Sequence, residues 1–290
     1  MALRSVRAEE TSMSIGRYSY STVRFDKPVM MIATALFVAG CAAPPKIPMP
    51  SDVAPFGRNV TLIYIPGIGG YAHDDRGWVN GLRAGGYSGK MEIWDWTGKL
   101  GPISALWAHA RQRTEARRIA DRVQRLRSES PARPVVLVSH SAGAGLLVMA
   151  LEDLPPDLQV DGVVFLAPAL SRTYDLTQAL RHVRSRADVF YSGRDTLVLA
   201  LGTFLLGTVD GVHGEAAGHG GFVEPPGGSG EAYAKLIVHP YSDDRRLHGD
   251  DGGHEGILKS TMAAAVVAPL LPGHDSHADP VAQTDAHDLP

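Results

Sequence analysis

The chain is poor in cysteine: among its 290 residues there is one, Cys41. A single thiol excludes an intrachain disulfide and any cysteine-based zinc site. Excess charge of one sign is also missing. Lys and Arg number 28 against 31 Asp and Glu, a formal net charge of −3, so no global basic field draws in nucleic acid. The arginines crowded between Arg111 and Arg133 fall on the polar side of a helical pattern and read as a solvated helix face. There is no G-x-G-x-x-G spacing and no Walker lysine, so a nucleotide cofactor is not expected. No internal repeat is visible. What remains is an ordinary globular balance, 44% hydrophobic and 20% charged, enough for one domain of a little over 200 residues.

The position of the lone cysteine is informative. It follows the apolar run Val29–Gly40, interrupted only by Thr34 and preceded by Arg24 and Lys27. About 12 residues is too short for the ~20 of a membrane-spanning helix. A basic flank, a short apolar core and small residues before a cut site describe a secretory signal. Val38-Ala39-Gly40-Cys41 resembles the lipobox of bacterial lipoproteins, which implies cleavage before Cys41 and acylation of its thiol. A general secretory signal cut near Ala42 or Ala43 is the competing reading, and Met13 or Met30 are alternative starts. The expected organisation is therefore a signal over 1–40, a proline-rich tether over 41–56, a catalytic domain over 57–270 and a polar, disordered tail over 271–290. The expected location is the cell envelope, with the membrane reached through the N-terminal lipid. The oligomeric state is not readable.

Between tether and tail, short apolar runs alternate with helical patterns. Val60–Ile65, Met91–Trp94, Val135–Val138, Gly162–Leu166, Asp188–Tyr191 and Leu236–Val238 lack in–out alternation and read as strands buried on both faces. Ile103, Leu106, Trp107, Ala110, Ile119, Val123 and Leu126 fall at helical spacing, and Ala142–Leu151 and Glu255–Val267 carry similar patterns. The expected class is α/β, a mainly parallel sheet of about six strands with helices on both faces.

One junction concentrates the chemistry. Pro134-Val-Val-Leu-Val runs into Ser139-His140-Ser141-Ala142-Gly143 and then into an apolar helix. This resembles the Gly-x-Ser-x-Gly nucleophile elbow of the α/β-hydrolase superfamily, with Ser139 in the place of the first glycine. A serine on a strained strand-to-helix turn needs small residues two before and two after it, and Ser139 and Gly143 qualify. The resemblance implies Ser141 as nucleophile. Upstream, the strand ending at Ile65 meets Pro66-Gly67-Ile68-Gly69-Gly70, a turn of the kind that supplies one oxyanion donor in that superfamily. By resemblance the donors would be the N–H groups of Ile68 and Ala142.

The superfamily's chain order is Ser, then acid, then His. Asp195, in the turn after the Asp188–Tyr191 strand, is similar to the superfamily's acid. Asp175 and Asp188 compete, and Asp195 could instead cap a following helix. Among 12 histidines, His254 stands on the glycine loop Asp250-Asp-Gly-Gly before the last helix, where the superfamily carries its base. His239 is the runner-up, with His248 and His219 behind it.

Residues 202–230 hold ten glycines and could form a lid or a disordered bulge. His213, Glu215, His219 and Glu224 match no strong metal signature, and no metal site is expected. Too few residues separate Leu166 from Asp188 for a large cap, so an open pocket lined by Ile68, Tyr71, Leu170 and Tyr174 is expected. The implied activity is hydrolysis of lipid or short acyl esters through a Ser-His-Asp triad. Acyl transfer or thioester cleavage by the same triad, or a non-catalytic lipoprotein keeping the fold, are the alternatives.

Overall fold

The computed structural model describes residues 10–15, 18–23, 60–98, 105, 108–195 and 214–274. The chain divides into two compact units, Met1–Ala42 and Ala43–Pro290. In the first, β1 (Glu10–Ile15) and β2 (Tyr18–Val23) pair antiparallel as a hairpin. This hairpin falls within the stretch read as a signal, and the sequence reading did not foresee it. Cys41, the tether and residues 275–290 lie outside the described residues. Among the described residues, no helix is long and apolar enough to cross a membrane.

The second unit is built on six parallel strands in the order β4-β3-β5-β6-β7-β8. These are β3 (Thr61–Ile65), β4 (Lys90–Ile93), β5 (Val135–His140), β6 (Val160–Leu166), β7 (Val183–Tyr191) and β8 (Leu236–Pro240). Every strand read from the sequence is present, and the α/β class with a parallel six-stranded sheet is as expected. The central strands β3 and β5 are buried along their whole length, as their unbroken apolar runs require.

Alternate residues of these strands feed two cores. Ile63, Leu137, Val163, Phe165 and Val189 pack beneath α2 (His109–Glu129) and α3 (Gly143–Glu152). Leu62, Tyr64, Val136, Val138, Val164 and Phe190 meet α1 (His73–Ala84) and the C-terminal helical segment. The long amphipathic run is thus α2. Its expected beginning at Ile103, Leu106 and Trp107 lies outside the described residues.

The last helix departs from expectation. Instead of one helix over Glu255–Val267, the chain makes a 3-10 turn (Gly256–Leu258), α-helix (Ser260–Met262), a π-turn (Ala263–Val267) and a second 3-10 turn (Ala268–Leu270). Lys259 is extended between the first two, at φ −61° and ψ 138°. The cause is close packing on α1. A methyl group on Gly81 would overlap the backbone of Ser260, and one on Gly85 that of Ala264. The run follows the groove these glycines open rather than an ideal helical path.

Candidate active site

β5 delivers Ser141 to the carboxyl end of the sheet. Ser141 has φ 50°, a left-handed conformation that costs a non-glycine residue about 1–3 kcal/mol unless its surroundings enforce it. Here they do. Its N–H donates to Leu166 O (3.0 Å), and its carbonyl accepts from Ala144 N–H (3.1 Å) and Ala169 N–H (3.0 Å). Gly143 lies so close to the end of β3 that a methyl there would collide with the carbonyl oxygens of Ile65 and Pro66. The serine in place of the first elbow glycine fits: Ser139 is fully buried, though its Oγ has no hydrogen-bond partner among the described residues.

The three residues read as a triad come together. His254 Nε2 is 2.8 Å from Ser141 Oγ, and His254 Nδ1 is 2.6 Å from Asp195 Oδ2. Ser141 and Asp195 are buried, and the His254 side chain is 9% exposed. A carboxylate accepting at Nδ1 fixes that nitrogen as the protonated one and leaves Nε2 free to take the serine proton. Burial lowers the affinity of His254 for a proton. The hydrogen bond and charge of Asp195, with Glu255 adding to them, outweigh it, and the imidazole is raised above its ordinary value.

Each member is held locally. Asp195 sits in a turn closed by its own N–H on Ser192 O (3.0 Å). The His254 loop is braced by Asp250, which is buried, accepts from Gly252 N–H (2.8 Å) and pairs with Arg245 at 2.5 Å. Gly252, at φ 85°, passes so near the acid turn that a methyl would meet Ser192 Oγ at 3.0 Å. The sequence reading missed Asp250, although an aspartate two residues before a glycine is a turn signal.

The glycine-rich turn after β3 also arrives where expected. Gly67 faces the nucleophile, since a methyl there would stand 3.2 Å from Ser141 Cβ. Among the described residues, no protein hydrogen bond engages the N–H of Ile68 or of Ala142. Ala142 follows the nucleophile at the start of α3, whose N-terminus adds a positive dipole end.

His239, Asp188, Asp175 and His219 are engaged elsewhere. His239 Nε2 is 2.6 Å from Asp188 Oδ1, and Arg186 grips the same carboxylate at both oxygens, which holds Asp188 below the usual carboxylate range despite its burial. Asp175 accepts from Thr177 N–H (2.9 Å) in the turn that leads into the short α4 (Thr177–Arg181). His219 pairs with Glu215, which also binds Arg172. His213 lies outside the described residues.

Two expectations are corrected. Tyr71 and Leu170 do not line an open pocket: each is 1% exposed, and they belong to cores on opposite faces of the sheet. Tyr174 turns its hydroxyl to Glu152 (3.0 Å). The described part of the glycine-rich insertion, 214–230, is neither a free lid nor a bulge. Ala217 N–H donates to Leu170 O (2.8 Å), Gly218 N–H to Pro168 O (2.8 Å), and Gly218 O accepts from Ser192 N–H (2.9 Å). It is pinned between the turns that follow β6 and β7. The expectation of no large cap agrees with the short β6–β7 connection, which carries only α4.

Among the described residues, one cluster could offer three metal ligands: His140, His254 and Glu255, with donor atoms within 4.8 Å of one another. That spread is wide for a zinc site with bonds of about 2 Å. Both ring nitrogens of His254 are already committed to Ser141 and Asp195, so a cation here would compete with the proton relay.

No family model matches the chain, and no curated protein matches it in sequence. Among solved structures it is similar to a dienelactone hydrolase from Anabaena variabilis ATCC 29413 (15% identity, 91% of this chain and 94% of that one, TM-score 0.44). It is also similar to the esterase domain of a Rhodothermus marinus protein (12%, 91% and 96%, TM-score 0.42) and to a cutinase-like protein from Cryptococcus sp. (15%, 72% and 90%, TM-score 0.39). At such distances the functional reading rests on the site itself.

Proposed function

We propose that the protein is a serine hydrolase that cleaves carboxylic esters through an acyl-enzyme. The observation that carries this reading is the continuous relay Ser141–His254–Asp195, with contacts of 2.8 and 2.6 Å. A serine hydroxyl is a weak nucleophile until an oriented base removes its proton. In this mechanism His254 Nε2 accepts the Ser141 proton as Oγ bonds to the ester carbonyl carbon. The oxyanion that forms is held by the N–H groups of Ala142 and Ile68. Collapse breaks the bond to the alkoxy oxygen, which leaves with the proton from His254. Water then gives a proton to His254 and attacks the acyl carbon, releasing the acid and restoring Ser141. Asp195 stabilises the imidazolium in both halves.

The substrate class we assign is a lipid or short acyl ester, presented near a membrane. Support for that location is the sequence alone: one cysteine, placed directly after a short apolar run with a basic flank. In this reading Cys41 carries the lipid and the following prolines space the domain from the bilayer.

The test is hydrolysis of a graded series of p-nitrophenyl acyl esters by wild type and Ser141→Ala. The variant should lose at least about 1,000-fold in kcat, because the relay acts as a unit. Equal rates in the two proteins would end the proposal.

A further inference from the structure

We propose that His140 is a positioning residue for the base, its ring N–H holding the His254 loop where the imidazole reaches Ser141. The inference rests on the triad reading above and adds a residue to which that reading assigns no role. His140 is the buried last residue of β5, on the same strand parity as Val136 and Val138, which join the core with α1. Its ring lies 4.9 Å from that of His254, tilted by 42°. Its Nε2 is 3.4 Å from the carbonyl oxygen of His254. A carbonyl can only accept, so Nε2 carries the proton, and Nδ1 is the bare nitrogen on the side of Gly67, where a methyl would come within 3.1 Å.

The surroundings of this buried ring are partly charged, and burial shifts it toward the neutral form. From α1 comes Asp75, itself held by Tyr64 Oη (2.5 Å) and Ala72 N–H (2.8 Å). Tyr64 in turn stacks on Trp78 at 4.7 Å. From the base loop come His254 and Glu255, whose Oε2 is 3.9 Å from His140 Nε2. Burial pushes the proton affinity of His140 down and the charge of His254 adds to this, while Glu255, Asp75 and the hydrogen bond to the His254 carbonyl oppose it. A neutral ring places no cation beside the base.

The physical need is plain from the loop. His254 follows Gly252 and Gly253, the residues with the most backbone freedom to lose. Asp250 braces the loop four residues upstream, and among the described residues the side-chain contact given for the carbonyl of His254 is that of His140. His140 supplies that contact from a buried central strand paired on both sides, the strand that also leads into Ser141. Base and nucleophile are thereby referred to one frame.

The experiment uses the full chain with p-nitrophenyl butyrate as substrate and a fluorophosphonate as label for Ser141. His140→Phe keeps the ring and loses the N–H. It should lower kcat by about 10- to 100-fold, the cost of misplacing a reacting group by up to an ångström, and leave KM unchanged. His140→Gln restores a donor at the place of Nε2 and should recover most of the wild-type kcat. If wild type shows no Ser141 labelling, the triad reading falls and this inference with it. Labelling of wild type, together with an unchanged kcat in His140→Phe, overturns the positioning role alone. Equal losses in Phe and Gln variants also overturn it, because packing rather than the N–H would then be what matters. Should His140→Phe fail to fold, His140→Gln decides alone: near wild-type kcat supports the role, and a 10-fold loss refutes it.

Discussion

Strain at Ser141 and satisfaction around it belong together. Three backbone hydrogen bonds hold the positive φ, while the residue two before it carries a buried hydroxyl that bonds to nothing described. A buried donor left unmade costs about 1–3 kcal/mol. Ser139→Ala removes that hydroxyl and keeps the small volume the elbow needs. It should raise unfolding stability by about 1 kcal/mol in urea titration, and a loss of stability would show that the hydroxyl has a partner. The base makes a second prediction. Because its imidazole is raised above the ordinary histidine value, His254 stays protonated, and unable to accept from Ser141, to a correspondingly higher pH. kcat/KM should therefore climb as pH rises through that raised value. Glu255 is one of the groups that raise it, so Glu255→Gln should move the acid limb to lower pH; a limb that stays put or moves up would contradict this cause. Ser141, Asp195 and His254 were legible in the sequence because each follows a strand and the order rule ranks the candidates. His140 was not, since nothing along the chain says that the ring of a strand-end histidine comes to the carbonyl of the base.

At the scale of elements, strands were easier to read than helices because of how each is buried. β3, β5 and β6 are covered on both faces and therefore show as plain apolar runs. α1 gave no comparable sign. Its sequence His-Asp-Asp-Arg-Gly-Trp-Val-Asn-Gly-Leu-Arg-Ala holds two glycines and a pair of acids. Helix propensity counts each interior glycine as a loss of about 1 kcal/mol. The structure gives Gly81 its reason, which is backbone contact with Ser260, and that reason exists only once the C-terminal segment has docked. The same contact broke the expected last helix into 3-10, α and π turns. Gly81→Ala should thus destabilise the fold by about 1–3 kcal/mol through overpacking, although alanine is the better helix former. Urea unfolding measures it. If the variant proves more stable, propensity outweighs contact, and the account of the broken helix is wrong.

At the scale of the whole molecule, the proposed chemistry and the proposed anchor fall in different parts of the chain. Ser141, His254, Asp195 and their braces Asp250 and Arg245 all lie in the unit Ala43–Pro290, as do both cores. If Cys41 is a lipid site, its acyl chains act on where the enzyme is and not on how its relay works. Stable anchoring needs more than one chain or a second membrane-binding signal, because a single acyl chain binds bilayers only marginally. Removing the thiol removes the group that such processing modifies first. Cys41→Ser should accordingly move the protein from the membrane fraction to the soluble fraction of expressing cells. Hydrolysis of a water-soluble ester by the purified variant should be unchanged, while turnover of an ester embedded in vesicles should fall. Retention of Cys41→Ser in the membrane fraction would show that something other than a lipid on that residue holds it there. Loss of activity toward the soluble ester would show that the N-terminal unit reaches into the chemistry after all.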